Sequence, residues 1–211
     1  MKTITLEAGP SAQAVMNIDE DDHIGRFIAT GTWYEQDLLN DAFARVSGPG
    51  TAIDVGGHIG NHAMWFALAC GLDVISLEPN PVTLKHLQSN IDANPNARIR
   101  AVNAAVGRRR GHGTSTPPPL GNTGMARFSI DRKGPIPVVK LDSLRAKNVK
   151  LIKIDVEGTA ADVLRGGYRL ISKQSPVIYA EGEQDEIAEV LPDGYECFGR
   201  FARTPTWGFS R

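Results

Sequence analysis

The residues best able to do chemistry are carboxylates set among glycines. Asp54 lies in a short apolar run, Ala52-Ile53-Asp54-Val55, and Gly56, Gly57 and Gly60 follow it closely. A strand turning over glycines into a helix brings bare backbone to the carboxyl edge of a sheet, where a ligand can lie against it. Glu78 ends a second apolar run, Asp73–Leu77, and stands 24 residues after Asp54. An acid at that tip can accept two ribose hydroxyls at once. Lys153, Asp155 and Glu157 alternate with Ile152, Ile154 and Val156. Side chains in a strand alternate with period two, so three charges would share one face of a core strand. Burying unpaired ions costs several kcal/mol, so they should be paired or reach a wet site at the carboxyl end of the sheet.

Two cofactor types fit such a turn. Dinucleotides call for G-x-G-x-x-G, with a pyrophosphate on the helix N-terminus. Here the spacing is Gly56-Gly57-x-x-Gly60 with Asp54 just before it. S-adenosylmethionine has no phosphate and carries a sulfonium and an ammonium, so nearby carboxylates suit it better. Glu78 serves either cofactor. A plain strand-to-helix turn is the alternative without a ligand.

The segments DVGGHIGNH, LEPNP, VNAAVG, NTG and LIKIDVEG, taken in order, resemble the FkbM family of S-adenosylmethionine-dependent methyltransferases over about residues 30–180. The resemblance implies a doubly wound α/β domain with a mostly parallel seven-stranded sheet, and methyl transfer to a hydroxyl of a small molecule or sugar. It implies cofactor contacts at Asp54, Gly56, Gly57, Glu78, Asn80, Asn103, Ala104 and Asp155, with Asp155 at the methionine end and Asn103-Ala104 at the adenine. It brings Asn122-Thr123-Gly124 near the active site. Glu157, Asp155 and His58 are the candidate catalytic residues, with Glu157 nearest the acceptor. The sequence departs from the family in having Gly57 and His58 in place of alanine and asparagine. It also has Ala160 where the family has an acid, which leaves Asp162 as a substitute.

The elements that must position these groups follow from periodicity. Residues 1–50 are expected as a mainly helical segment: a short edge strand around Ile4 and Leu6, a solvated acidic turn at Asp19–Asp22, then two helices broken at Thr30-Gly31-Thr32. Trp33, Tyr34 and Glu35 would either wall the pocket or simply pack. Helices are expected over Asn61–Cys70, Pro81–Asn94 and Ala160–Ile171. Further strands are expected over Ala97–Val102 and Pro176–Ala180, and Tyr195–Phe201 should pair antiparallel with Thr206–Phe209. Residues 107–137 read as an irregular insertion, with a hairpin, overhanging the pocket.

Composition narrows the function. The net charge is −1, from 23 Lys and Arg against 24 Asp and Glu. That balance argues against a nucleic-acid binder, and Arg108-Arg109-Arg110 alone reads as a solvated turn. His58 and His62 lack the glutamate of a metalloprotease helix, so no metal site is expected. Two cysteines, no apolar leader and no run of ~20 apolar residues point to a cytoplasmic protein off the membrane. A nicotinamide-dependent oxidoreductase and a non-catalytic binding protein on the same fold are the competing readings.

Overall fold

In the computed structural model, residues 1–46, 48–116, 128–156 and 158–211 are described. The chain opens with strands β1 (Lys2–Ala8) and β2 (Ala12–Ile18), then helices α1 (His23–Ile28) and α2 (Gln36–Arg45). There follow β3 (Thr51–Val55), α3 (Asn61–Leu68), β4 (Asp73–Leu77), α4 (Pro81–Asp92) and β5 (Ile99–Val102). A second group comprises β6 (Ala105–Val106), β7 (Gly111–Ser115), β8 (Phe128–Ile130) and β9 (Ile136–Val139). The chain closes with β10 (Val149–Ile154), α5 (Ala160–Gly166), α6 (Tyr168–Gln174), β11 (Val177–Glu181), α7 (Gln184–Val190), β12 (Glu196–Phe201) and β13 (Thr206–Ser210).

The central sheet has seven strands in the order β12-β13-β11-β10-β3-β4-β5. β11, β10, β3, β4 and β5 run parallel, and β13 is antiparallel to both of its neighbours. This is the expected mostly parallel α/β sheet, with helices on both faces. Ala52, Val74, Leu151 and Tyr179 pack on one side with Met64 and Phe66 of α3 and Leu38 and Leu39 of α2. Ile53, Ile152, Ile154 and Ile178 pack on the other with Val163, Leu164 and Ile171 of α5 and α6. Parallel strands covered on both faces read as near-continuous apolar runs. That is why these strands could be located from sequence.

Two regions differ from expectation. Residues 2–18 form an antiparallel hairpin rather than part of a helical segment, with Leu6, Ala14, Met16 and Ile18 buried. The hairpin is stitched to α4 and the turn after it, where Asn90 Oδ1 accepts from Asn17 N–H at 2.6 Å and Asn94 Oδ1 from Val15 N–H at 2.8 Å. Asn90 also donates to Ile59 O at 2.8 Å, tying the hairpin and α4 to the glycine turn. Asp22 is not solvated. It is buried and caps α1, accepting from the N–H groups of Ile24 and Gly25.

The second difference is the expected irregular insertion, which contains a four-stranded sheet in the order β6-β9-β7-β8. β7 and β8 form a hairpin arm, Gly113 opposite Ile130 and Ser115 opposite Phe128. Asn122-Thr123-Gly124, within residues 117–127, lies outside the described residues.

Candidate active site

The glycine turn closes tightly against protein. Gly56 has φ +82°, and a Cβ there would lie 2.0 Å from Asp155 O. A Cβ on Gly57 would lie 2.0 Å from Ser76 Oγ. The glycines thus let β3, β4 and β10 converge at their carboxyl ends. Gly57 is shut in by Ser76, so the expected space beside it for a ligand is filled by protein. Gly56 faces the cavity described below.

His58 takes the left-handed conformation, with φ 47°. This aims its N–H at Glu78 Oε2, 2.8 Å away, while Glu78 Oε1 accepts from Asn80 N–H at 2.8 Å. Each carboxylate oxygen is therefore fixed by one amide and keeps lone-pair capacity for another donor. Burial raises the Glu78 pKa, opposed by those two amides and the Thr83 hydroxyl. Asn80 caps α4, accepting from Val82 N–H at 2.9 Å.

A polar row crosses the sheet below the turn. Ser76, Asp54 and Lys153 are cross-strand partners on β4, β3 and β10. All three are buried. Ser76 donates to Asp54 Oδ2 at 3.2 Å, and Lys153 Nζ lies 3.7 Å from Asp54 Oδ1 and 3.0 Å from Asp155 Oδ2. Burial opposes the Lys153 charge, but attraction by Asp155, Asp54 and Glu35 outweighs it and holds the ammonium above its ordinary pKa. For Asp54 burial dominates and the pKa rises, despite Lys153, His62 and Ser76.

β10 ends at Ile154, so Asp155 stands past the strand, its side chain 42% exposed. Burial pushes its pKa up, but the Lys153 charge and a side-chain hydrogen bond with Glu181 outweigh it and keep Asp155 below the usual carboxylate range. Glu157 lies outside the described residues.

Above the strand ends opens a cavity of about 740 Å³. Of the expected site residues, Gly56, His58, Glu78, Asn80 and Asp155 line it, as do Thr159 and Asp162. Asp54, Gly57, Asn103 and Ala104 do not appear in its lining. Asp54 lies beneath in the polar row. Asn103 Nδ2 donates to the carbonyls of Glu78 and Pro79 at 3.0 Å each, bracing the Glu78 turn, and Ala104 is packed in the core. Burial lowers the His58 pKa to about 4, against the pull of Asp22 and Asp155.

Two features escaped sequence reasoning. His62, noticed only for its spacing from His58, pairs with Glu35 at 2.9 Å, both side chains buried. The pair joins residues 27 apart, and no local spacing announces it. Trp33 is core, stacked edge-on against Trp65 and donating to Glu7 O, while Tyr34 is held at both backbone groups by Asn61. The other feature is Arg108-Arg109-Arg110. This triplet lines the cavity together with His112, Phe128 and Ile130 of the second sheet and Arg132, which follows β8.

The methyltransferase FkbM domain family matches residues 54–196, more than half of the chain. No curated protein sequence matches the chain. Among solved structures, a methyltransferase FkbM from Methylobacillus flagellatus KT is similar at TM-score 0.56 and 21% identity. The similarity covers 79% of this chain but only 44% of that one, so this chain spans less than half of that relative's length. The putative methyltransferase yhhF from Escherichia coli gives TM-score 0.59 at 12% identity, covering 100% of this chain and 98% of that one. A variant of MtNAS in complex with S-adenosylmethionine gives 0.51 at 11% identity, covering 88% and 65%. At these identities the structural likenesses establish the fold.

Proposed function

Since the chain belongs to the FkbM methyltransferase family, we propose that it binds S-adenosylmethionine in the cavity and methylates a hydroxyl oxygen of a small molecule or sugar. The observation that carries this reading is the pairing of two carboxylates on that cavity, at the carboxyl ends of β4 and β10. Glu78 is buried, oriented by two amides and able to accept further hydrogen bonds, which fits a ribose diol. Asp155 is held ionised beside Lys153, which fits the cationic methionine end. When bound, the cofactor supplies an electrophilic methyl carbon on a sulfonium sulfur.

The residues of this chain would then hold the acceptor oxygen ~3–3.5 Å from that carbon and receive its proton. Asp155, held below the usual carboxylate range, is a poor proton acceptor at neutral pH, so its role is to hold charge. His58, with a pKa of about 4, is a neutral imidazole at pH 7 and a weak base. The base is therefore assigned to Glu157. Glu157→Gln should leave cofactor binding intact, lower kcat ~10²–10⁴-fold and remove the ascending limb of the pH–rate profile. An unchanged profile would return the role to His58 or to water.

Calorimetry tests the reading as a whole. S-adenosylmethionine and S-adenosylhomocysteine should both bind, and NAD should not. Binding of NAD alone would replace methyl transfer with nicotinamide chemistry.

A further inference from the structure

The cavity has a second wall whose chemistry is opposite to that of the strand ends. The turn between β6 and β7 contributes Arg108, Arg109 and Arg110, β7 contributes His112, and Arg132 follows β8. Phe128 and Ile130 of β8, Val106 of β6 and Val138 of β9 line the same wall, and Ile130 is 72% exposed. The four arginines are exposed, and among the described residues none makes an ion pair or a side-chain hydrogen bond. Arg45, Arg98, Arg165 and Arg169 each pair with an aspartate, while Arg100 and Arg200, like the four, have no ion pair among the described residues, so what sets the four apart is their gathering on one cavity wall. Four like charges gathered on one cavity wall repel one another, and an anion among them relieves that repulsion. Guanidinium groups match phosphate, sulfate and carboxylate oxygens two at a time.

We propose that the methyl acceptor is itself anionic, carrying a phosphate, sulfate or carboxylate group that Arg108–Arg110 and Arg132 hold while the apolar residues pack its body. This rests on the methyl-transfer reading and deepens it. A nucleic-acid strand is disfavoured because Glu78, Asp155 and Asp162 line the same cavity and would repel a run of phosphates.

The test uses the whole chain saturated with S-adenosylhomocysteine, and titrates phenyl phosphate, benzoate, phenol and a short single-stranded oligonucleotide. Phenyl phosphate or benzoate should bind at least about tenfold more tightly than phenol, and the better of the two names the anionic group. In Arg108→Ala/Arg132→Ala that preference should fall about tenfold while S-adenosylhomocysteine affinity stays unchanged. The arginines are exposed and have no ion pair among the described residues, so the variant should fold, which its thermal unfolding checks. Equal binding of phenol and the anions, or a preference that survives in the variant, overturns the proposal. Loss of S-adenosylhomocysteine affinity in the variant would reassign the arginines to the cofactor and overturn it equally. So would an oligonucleotide that binds far more tightly than either small anion. If the wild type binds no S-adenosylhomocysteine at all, the underlying methyl-transfer reading fails instead.

Discussion

The two walls of the cavity solve the same problem, holding charge beside a ligand, in opposite ways. At the strand-end wall, Glu78 and, beneath it in the polar row, Asp54 and Lys153 are buried, and each has a partner drawn from the sheet or its turns. On the second-sheet wall the arginines are exposed and have no ion pairs among the described residues. A buried, interlocked charge is fixed in position, which suits a ligand that never changes. Long exposed side chains can adjust, which suits a variable acceptor. The contrast predicts that damage to the first wall shows in stability and cofactor binding, and damage to the second in acceptor binding alone.

The largest effect should come from Lys153→Met. Removing the ammonium leaves Asp54 buried without its cation, and breaking such a pair costs about 3–5 kcal/mol. Denaturant unfolding should show that loss, and the double variant Asp54→Asn/Lys153→Met should recover much of it, because no buried charge is then left alone. If the double variant is as unstable as the single, packing rather than charge governs the row. Gly56→Ala should cost ~3 kcal/mol, combining a left-handed backbone with a Cβ set against the Asp155 carbonyl. Gly71→Ala is its control. Gly71 also has positive φ but nothing lies near its would-be Cβ, so only ~1 kcal/mol should be lost.

Next in size is Glu78→Ala, which should weaken S-adenosylhomocysteine binding by ~2–4 kcal/mol through loss of two charge-assisted hydrogen bonds. Unchanged affinity in a folded variant would remove the strand-end wall from cofactor recognition. His58 gives this wall a pH signature. Its folded pKa, about 4, lies below the ordinary value of 6.5, so the unfolded chain binds more protons between those limits. Stability should therefore fall as pH drops from about 6.5 to about 4, by up to ~3 kcal/mol, and be insensitive to this group above 6.5. His58→Gln should flatten that slope. A slope that persists would belong to other groups.

The same contrast explains what the sequence did and did not disclose. β3, β4, β10 and β11 are legible because both faces are buried, and Lys153 within β10 with Asp155 just past its end marks the carboxyl edge. Glu78 and Asp155 were legible for the same reason: an acid ending an apolar run needs an explanation. β7, GHGTS, has no apolar residue to set a period, and β9 contains Pro137. They form strands through pairing with each other, and Gly113 admits the Phe128 ring and Ser129 carbonyl where a Cβ would stand. Without that pairing, Arg108–Arg110 could only be read as a solvated turn. The N-terminal hairpin was more accessible, since Ala14, Met16 and Ile18 alternate in β2 as Ile4 and Leu6 do in β1. The Asn103 side chain braces the neighbouring turn through the carbonyls of Glu78 and Pro79, ties to residues 25 and 24 positions away that no local spacing announces.

The smallest predicted effect bears most directly on the second wall. Arg109 is exposed, has no ion pair among the described residues and stands between Arg108 and Arg110. Its replacement by alanine removes no buried contact and relieves repulsion from two like neighbours. Arg109→Ala should therefore leave stability within ~0.5 kcal/mol of wild type, with any change a slight gain at low salt. That gain should vanish as salt rises and the Debye length shortens from about 30 Å at 0.01 M to about 3 Å at 1 M. Thermal unfolding at the two salt concentrations reads both. A loss above ~1 kcal/mol at either salt would mean that Arg109 has a structural partner, and the second wall would then be braced like the first rather than open to an incoming anion.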